Sequence, residues 1–118
     1  NFISQATQIA RKNMFAEKYT ISEFANELAV SKSALNKKMK LLTGQTPNEF
    51  IENIKLNYAQ KLISDTDLSV KEVAYSSGFN DPKYFARRFK KIFGLTPKEY
   101  KITTKKKIEI FWNYFVMN

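Results

Sequence analysis

Apolar residues recur at helical spacing in two stretches of this chain that resemble one another. Leu35, Met39 and Leu42 fall at i, i+4 and i+7, and Phe85, Phe89 and Ile92 repeat those steps fifty residues later. Side chains at this spacing share one face of an α-helix and mark the side turned toward a core. Ahead of the first stretch, Ser22 is placed to cap a short amphipathic helix carrying Phe24, Ala25 and Leu28. A turn is expected at Ala29 and Val30, Ser31 caps the helix that carries Leu35, and Gly44 closes it in the position that favours left-handed dihedrals.

The likeness of the two stretches extends to a repeat. Ile21, Glu23, Ala25 and Val30 match Val70, Glu72, Ala74 and Phe79 at a shift of 49. Leu35, Met39, Leu42, Gly44, Thr46, Pro47 and Phe50 match Phe85, Phe89, Ile92, Gly94, Thr96, Pro97 and Tyr100 at a shift of 50, with one residue inserted near Asn80. Agreement in apolar positions, glycine and proline, with most other residues different, indicates one backbone path used twice. Asp81 is the expected N-cap of the later helix and Pro82 its first residue, where a missing amide costs nothing. Each unit reads as short helix, tight turn, second helix: a helix-turn-helix. Between them, Phe50, Ile54, Tyr58 and Leu62 predict a linker helix over 47–64, about 25 Å long at 1.5 Å per residue. Residues 2–18, with Phe2, Ile9 and Phe15, predict a helix packed across the first unit.

The expected architecture is all-α: two tandem helix-turn-helix subdomains and about seven helices. The chain divides into an N-terminal helix plus first unit (1–46), the linker helix (47–64), the second unit (65–101) and an extension (102–118). Composition agrees, because three glycines and three prolines in 118 residues are too few for many tight hairpins. The chain begins at Asn1 and not at Met, which reads as a piece of a longer protein.

Charge sharpens the picture. The formal net charge is +9, and segments 31–44 and 81–94 hold +8 of it. Each basic segment is the second helix of its unit, with Lys32, Ser33, Asn36, Lys37 and Lys40 opposite the apolar row of the first, and Lys83, Arg87, Lys90 and Lys91 opposite that of the second. Two basic helices in helix-turn-helix context point to the DNA major groove. There is no cysteine and no histidine, so disulfides, thiolate metal sites, cysteine nucleophiles and imidazole bases are all absent. The expectation is a non-enzymatic module needing no metal or cofactor, and a reduced, cytoplasmic setting.

With these residues in place, the chain closely resembles the AraC/XylS family of bacterial transcription activators over about residues 3–101. The second unit, from Val70 to Tyr100, carries the family signature almost throughout, and Lys38 to Ile51 is most similar to versions at the C-terminus of hybrid two-component regulators. The resemblance implies binding of double-stranded promoter or operator DNA, with two recognition helices in successive major-groove segments, and recruitment of RNA polymerase. It implies base contacts from Ser33, Asn36, Lys37, Lys83 and Arg87. Lys32, Lys40, Arg88, Lys90 and Lys91 fit phosphate contact, since sequence-independent charge supplies much of the affinity, and Arg88 is also able to pair internally. Ser31 is a cap first, although amides at a capped helix start also receive phosphate oxygens. The implied parent joins this domain to an upstream sensor or receiver portion, and a hybrid parent can be membrane-anchored even though no membrane contact is expected of this domain.

The extension lies beyond the resemblance. Lys105, Lys106 and Lys107 precede an apolar run in which Ile108, Phe111, Trp112 and Phe115 form one helical stripe, while its aromatic and β-branched content also suits a strand. Its open roles are an element packed on the domain, a homodimer contact, or a docking surface for the rest of the parent. Two other readings of the chain remain: a protein-interaction module for an acidic partner, and a basic binder of anionic membrane.

Overall fold

The computed structural model describes residues 1–16 and 18–117, and among them every regular element is an α-helix. In order they are α1 (Phe2–Asn13), α2 (Ile21–Glu27), α3 (Lys32–Thr43), α4 (Pro47–Asp65), α5 (Val70–Ser76), α6 (Pro82–Phe93) and α7 (Pro97–Met117). The chain divides into two compact units, Asn1–Asn57 and Tyr58–Asn118, with the division inside α4.

Local chemistry accounts for the helix starts. Ser31 caps α3 by accepting from the Ala34 amide at 3.0 Å, and Asp81 caps α6 by accepting from the Lys83 amide at 2.9 Å ahead of Pro82, both as expected. The cap of α2 is not Ser22 but Thr20, two residues earlier. A capping box decides this: the Thr20 hydroxyl accepts from the Glu23 amide while the Glu23 carboxylate accepts from the Thr20 amide, both at 3.1 Å, and only a hydroxyl three residues ahead of a glutamate closes that ring. The same reciprocal pair recurs at Ser69 and Glu72 for α5, at Thr46 and Glu49 for α4, and at Thr96 and Glu99 for α7. Gly44 and Gly94 end α3 and α6 with φ of +74° and +81°.

In the first unit Ala6, Ala10, Phe24, Ala25, Leu35, Met39 and Phe50 form a buried cluster, with Phe2, Ile9, Ile51 and Ile54 packed against it. The two alanines let α1 lie close, and α1 ends at Asn13, whose side-chain amide donates to the Ile9 carbonyl at 2.9 Å. The helix expected over 2–18 is thus shorter, with Phe15 exposed, and Glu17 lies outside the described residues. The second unit buries Ala59, Ile63, Val73, Ala74, Phe79, Phe85 and Phe89. Phe85 and Phe89 tilt against each other at 5.7 Å, and Phe89 meets Tyr100 edge-on at the same distance.

Two expected core positions are on the surface: Leu42 is 52% exposed and Ile92 42%. The buried row on both helices runs i, i+4 and then toward i+8, so Thr43 and Phe93 are half-buried in their place, and the Phe93 ring packs tilted against Phe89 with centroids 4.5 Å apart. Along α4 the fourfold stripe also shifts. Phe50 is buried, but Tyr58 is exposed and Leu56, Ala59 and Ile63 carry the deepest burial, because the helix serves one core at its start and another at its end. The extension is helical, continuing α7 from Pro97 through residue 101 to Met117, and Asn118 lies outside the described residues.

Candidate nucleic-acid interface

Each unit builds one amphipathic helix of twelve residues, capped at both ends, with two large apolar residues of its inner row fully buried. In α3, burial of Leu35 and Met39 leaves Ser31, Lys32, Ser33, Asn36, Lys37 and Lys40 exposed. In α6, burial of Phe85 and Phe89 leaves Lys83, Arg87, Lys90 and Lys91 exposed. Arg88 differs: it is half-buried and engaged within the protein, so its guanidinium is less available than those of its neighbours.

The turn that aims each of these helices is held by matched backbone bonds. The Val30 amide donates to the Ala25 carbonyl and the Phe79 amide to the Ala74 carbonyl, each at 3.0 Å. The tight reversal needs one residue with positive φ. The second unit supplies Gly78 at +89°, whereas the first uses Ala29 at +57°, a conformation that crowds a Cβ against the backbone. The expected turn at Ala29 is present, with strain that the residue pattern did not announce.

Beside α3 the first unit carries an open groove of about 410 Å³, lined by Thr20, Ile21, Ser22, Lys32, Asn36, Thr46, Pro47 and Asn48. It brings two of the expected contact residues, Lys32 and Asn36, together with the starts of α2 and α4. Thr46 and Asn48 were not among the candidates from sequence. The signal for them was the Thr46-Pro-Asn-Glu49 capping box, which marks a helix start beside the basic helix.

Electrostatics are those of a solvated basic surface. Half-burial lowers the pKa of Lys55 on α4, with Glu52 opposing, whereas the lysines on the outer faces of α3 and α6 are open to water. Burial and the 3.0 Å bond to Glu27 raise the Tyr19 phenol well above its usual value, keeping it neutral where it ties α2 to the segment before it. Among the described residues no group of acidic side chains is gathered closely enough to hold a metal ion.

A pair of short helix, turn, basic helix units in one chain defines a tandem helix-turn-helix protein. A profile described as a helix-turn-helix domain matches residues 24–102, and the chain belongs to that family, within its AraC-type transcription regulators. Histidine kinase P4 of Formosa agariphila is 38% identical over 98 residues, covering 83% of this chain and 7% of that protein. The transcriptional activator RhaS of Escherichia fergusonii is 34% identical over 85 residues, covering 72% of this chain and 31% of that one. The chain thus spans less than a third of either relative. A crystal structure of a DNA-binding transcriptional dual regulator from Escherichia coli K-12 superposes with a TM-score of 0.79 at 26% identity, covering 90% of this chain and 94% of the other.

Proposed function

We propose that this chain is the sequence-specific, double-stranded-DNA-binding output domain of a bacterial transcription regulator, chiefly an activator, that works in the cytoplasm. Helices α3 and α6 enter successive major-groove segments of one promoter or operator. Ser33, Asn36, Lys37, Lys83 and Arg87 read base edges; Ser31, Lys32, Lys40, Lys90, Lys91 and, to a smaller degree, Arg88 hold phosphates. The groove beside α3 adds Thr46 and Asn48 to the phosphate contacts. A sensor or receiver portion upstream in the parent controls the domain, which recruits RNA polymerase and binds no metal or cofactor. The similarity to a histidine kinase of which this chain matches only 7% supports such a parent.

One observation carries the reading: a buried apolar pair (Leu35 and Met39, Phe85 and Phe89) and an exposed basic row stand back to back on a capped helix, and the arrangement occurs twice. A solvated surface needs neither the caps nor the repetition.

The test is binding to sequences selected from a random duplex pool, followed across a salt series. Contact with six to ten phosphates predicts a loss of roughly 10³- to 10⁵-fold in affinity between about 50 and 200 mM salt. A selected site should also survive competition by random duplex, at a ratio on the order of 10³ or more. Selection that enriches no sequence would refute specific reading, and affinity indifferent to salt would refute the phosphate contacts.

A further inference from the structure

The groove beside α3 lies where three helices begin. Ser22 comes from the start of α2, Lys32 and Asn36 from α3, and Thr46 and Asn48 from the start of α4. The second unit repeats each of those starts. Ser69 and Glu72 close the same capping box as Thr20 and Glu23, and Thr96 and Glu99 the same one as Thr46 and Glu49, while Asp81 caps α6 where Ser31 caps α3. The stops agree as well, since the Gly44 and Gly94 amides donate to the Lys40 and Lys90 carbonyls at 2.9 and 2.8 Å. With caps, turns and stops alike, positions related by the repeat hold the same places in the two units.

What stands at those places differs. Lys32 and Asn36 correspond to Pro82 and Ala86, neither of which carries a charge or a side-chain donor. Ser22 and Asn48 correspond to Lys71 and Lys98. Both of these lysines are exposed, each as the second residue of its helix, α5 or α7. The charge that the first unit places in its groove from α3 is thus supplied in the second from the two helix starts beside α6. Neither lysine is used inside the fold: among the described residues neither ammonium is engaged in an ion pair. The capping glutamates next to them feel other lysines, Lys101 at Glu72 and Lys90 at Glu99. The second of these influences sets the start of α7 beside the basic face of α6.

We propose that Lys71 and Lys98 form a phosphate clamp of the second unit, holding the backbone of the DNA segment that α6 enters; the inference rests on the DNA-binding reading above. The first helix of a helix-turn-helix crosses the backbone while the second lies in the groove, and Lys71 stands on that first helix. Lysine offers a point charge on a flexible stem, which suits a phosphate oxygen better than the planar pattern of a base edge. The clamp therefore adds affinity and register to the second unit and no sequence preference.

Duplex binding of the 118-residue chain across a salt series tests this. Each neutralised phosphate steepens the fall of log affinity with log salt by about 0.9. Lys71→Gln with Lys98→Gln should make that slope shallower by about 1.8 and weaken selected and random duplexes alike, by roughly ten- to hundredfold at about 0.1 M salt. The melting temperature should not move, since both side chains are exposed and glutamine matches lysine in helix propensity. Lys71→Arg with Lys98→Arg should restore the slope. Lys106→Gln with Lys107→Gln removes the same charge from exposed positions farther along α7 and should change the slope little. A clamp variant with the slope of the unmodified chain would overturn the proposal. So would a control pair that loses as much, because the two lysines would then act only as part of the general field. An unmodified chain that binds no duplex at any salt would end the DNA-binding reading itself, and the clamp with it.

Discussion

Ala29 stands where the backbone turns with φ of +57°, the position that the second unit fills with Gly78. A left-handed residue with a Cβ costs about 1–2 kcal/mol, and glycine removes that strain at an entropic cost of roughly 0.5–1 kcal/mol. Ala29→Gly should therefore stabilise the protein by a few tenths to about 1 kcal/mol, read as a higher melting temperature; a lower one would show that the turn is not strained. Arg87 and Lys90 divide the proposed interface by role. Arg87→Ala should cost about 1–3 kcal/mol on a selected site and relax preference at one base pair, while Lys90→Ala should weaken all duplexes alike and reduce the salt slope by about one. Equal, sequence-blind losses from both would end the distinction between reader and phosphate contact. Neither substitution touches the core, so folding does not cloud the comparison.

Two of the capping boxes, at the starts of α5 and α7, carry their own pH dependence. The Glu72 carboxylate accepts from the Ser69 amide and hydroxyl pair, and Glu99 does the same at Thr96, which lowers both pKa values below the usual glutamate range. A depressed carboxylate stabilises the fold above its unfolded value of about 4.3, and that stabilisation is lost as pH falls through the lower folded value. Thermal unfolding should thus shift downward from about pH 5 into more acid solution, and Glu72→Gln with Glu99→Gln should flatten that slope. An unchanged slope would mean that the boxes are already broken in solution. These boxes also show which parts of the fold were legible in sequence. Ser31, Asp81, Gly44 and the repeat spacing located α3 and α6 because each signal acts within one turn. Ser22 looks as suitable a cap as any hydroxyl near a helix start; only Thr20 has a glutamate, Glu23, three residues on to close the box. Periodicity alone turns Leu42 and Ile92 inward and sets Tyr58 in the same stripe as buried Phe50. Which way a buried row drifts along a helix depends on the partner packed against it, and no local pattern carries that. The exposed faces were readable because they follow from the buried ones. Which atoms meet DNA depends on a partner whose shape is not encoded in helical spacing.

At the scale of the whole molecule, the proposed reading of one duplex at two places depends on α4, whose nineteen residues, about 28 Å at 1.5 Å per residue, run unbroken across the division between the units. If α4 acts as a stiff strut, part of the ordering cost of binding is met before DNA arrives, and affinity for a complete site exceeds that of either half. Softening the strut isolates this effect. Asn57 and Lys61 are exposed on α4, so glycine at both costs about 1 kcal/mol each in helix propensity without opening a core. Asn57→Gly with Lys61→Gly should then weaken binding to the complete selected site by tenfold or more while leaving affinity for a duplex holding only one half-site within about twofold, a gap of about 1 kcal/mol or more. Equal losses on both duplexes would show that the variant harms a unit and not the coupling between them. No loss on either would mean that the two units find their grooves independently, and that α4 contributes tethering alone.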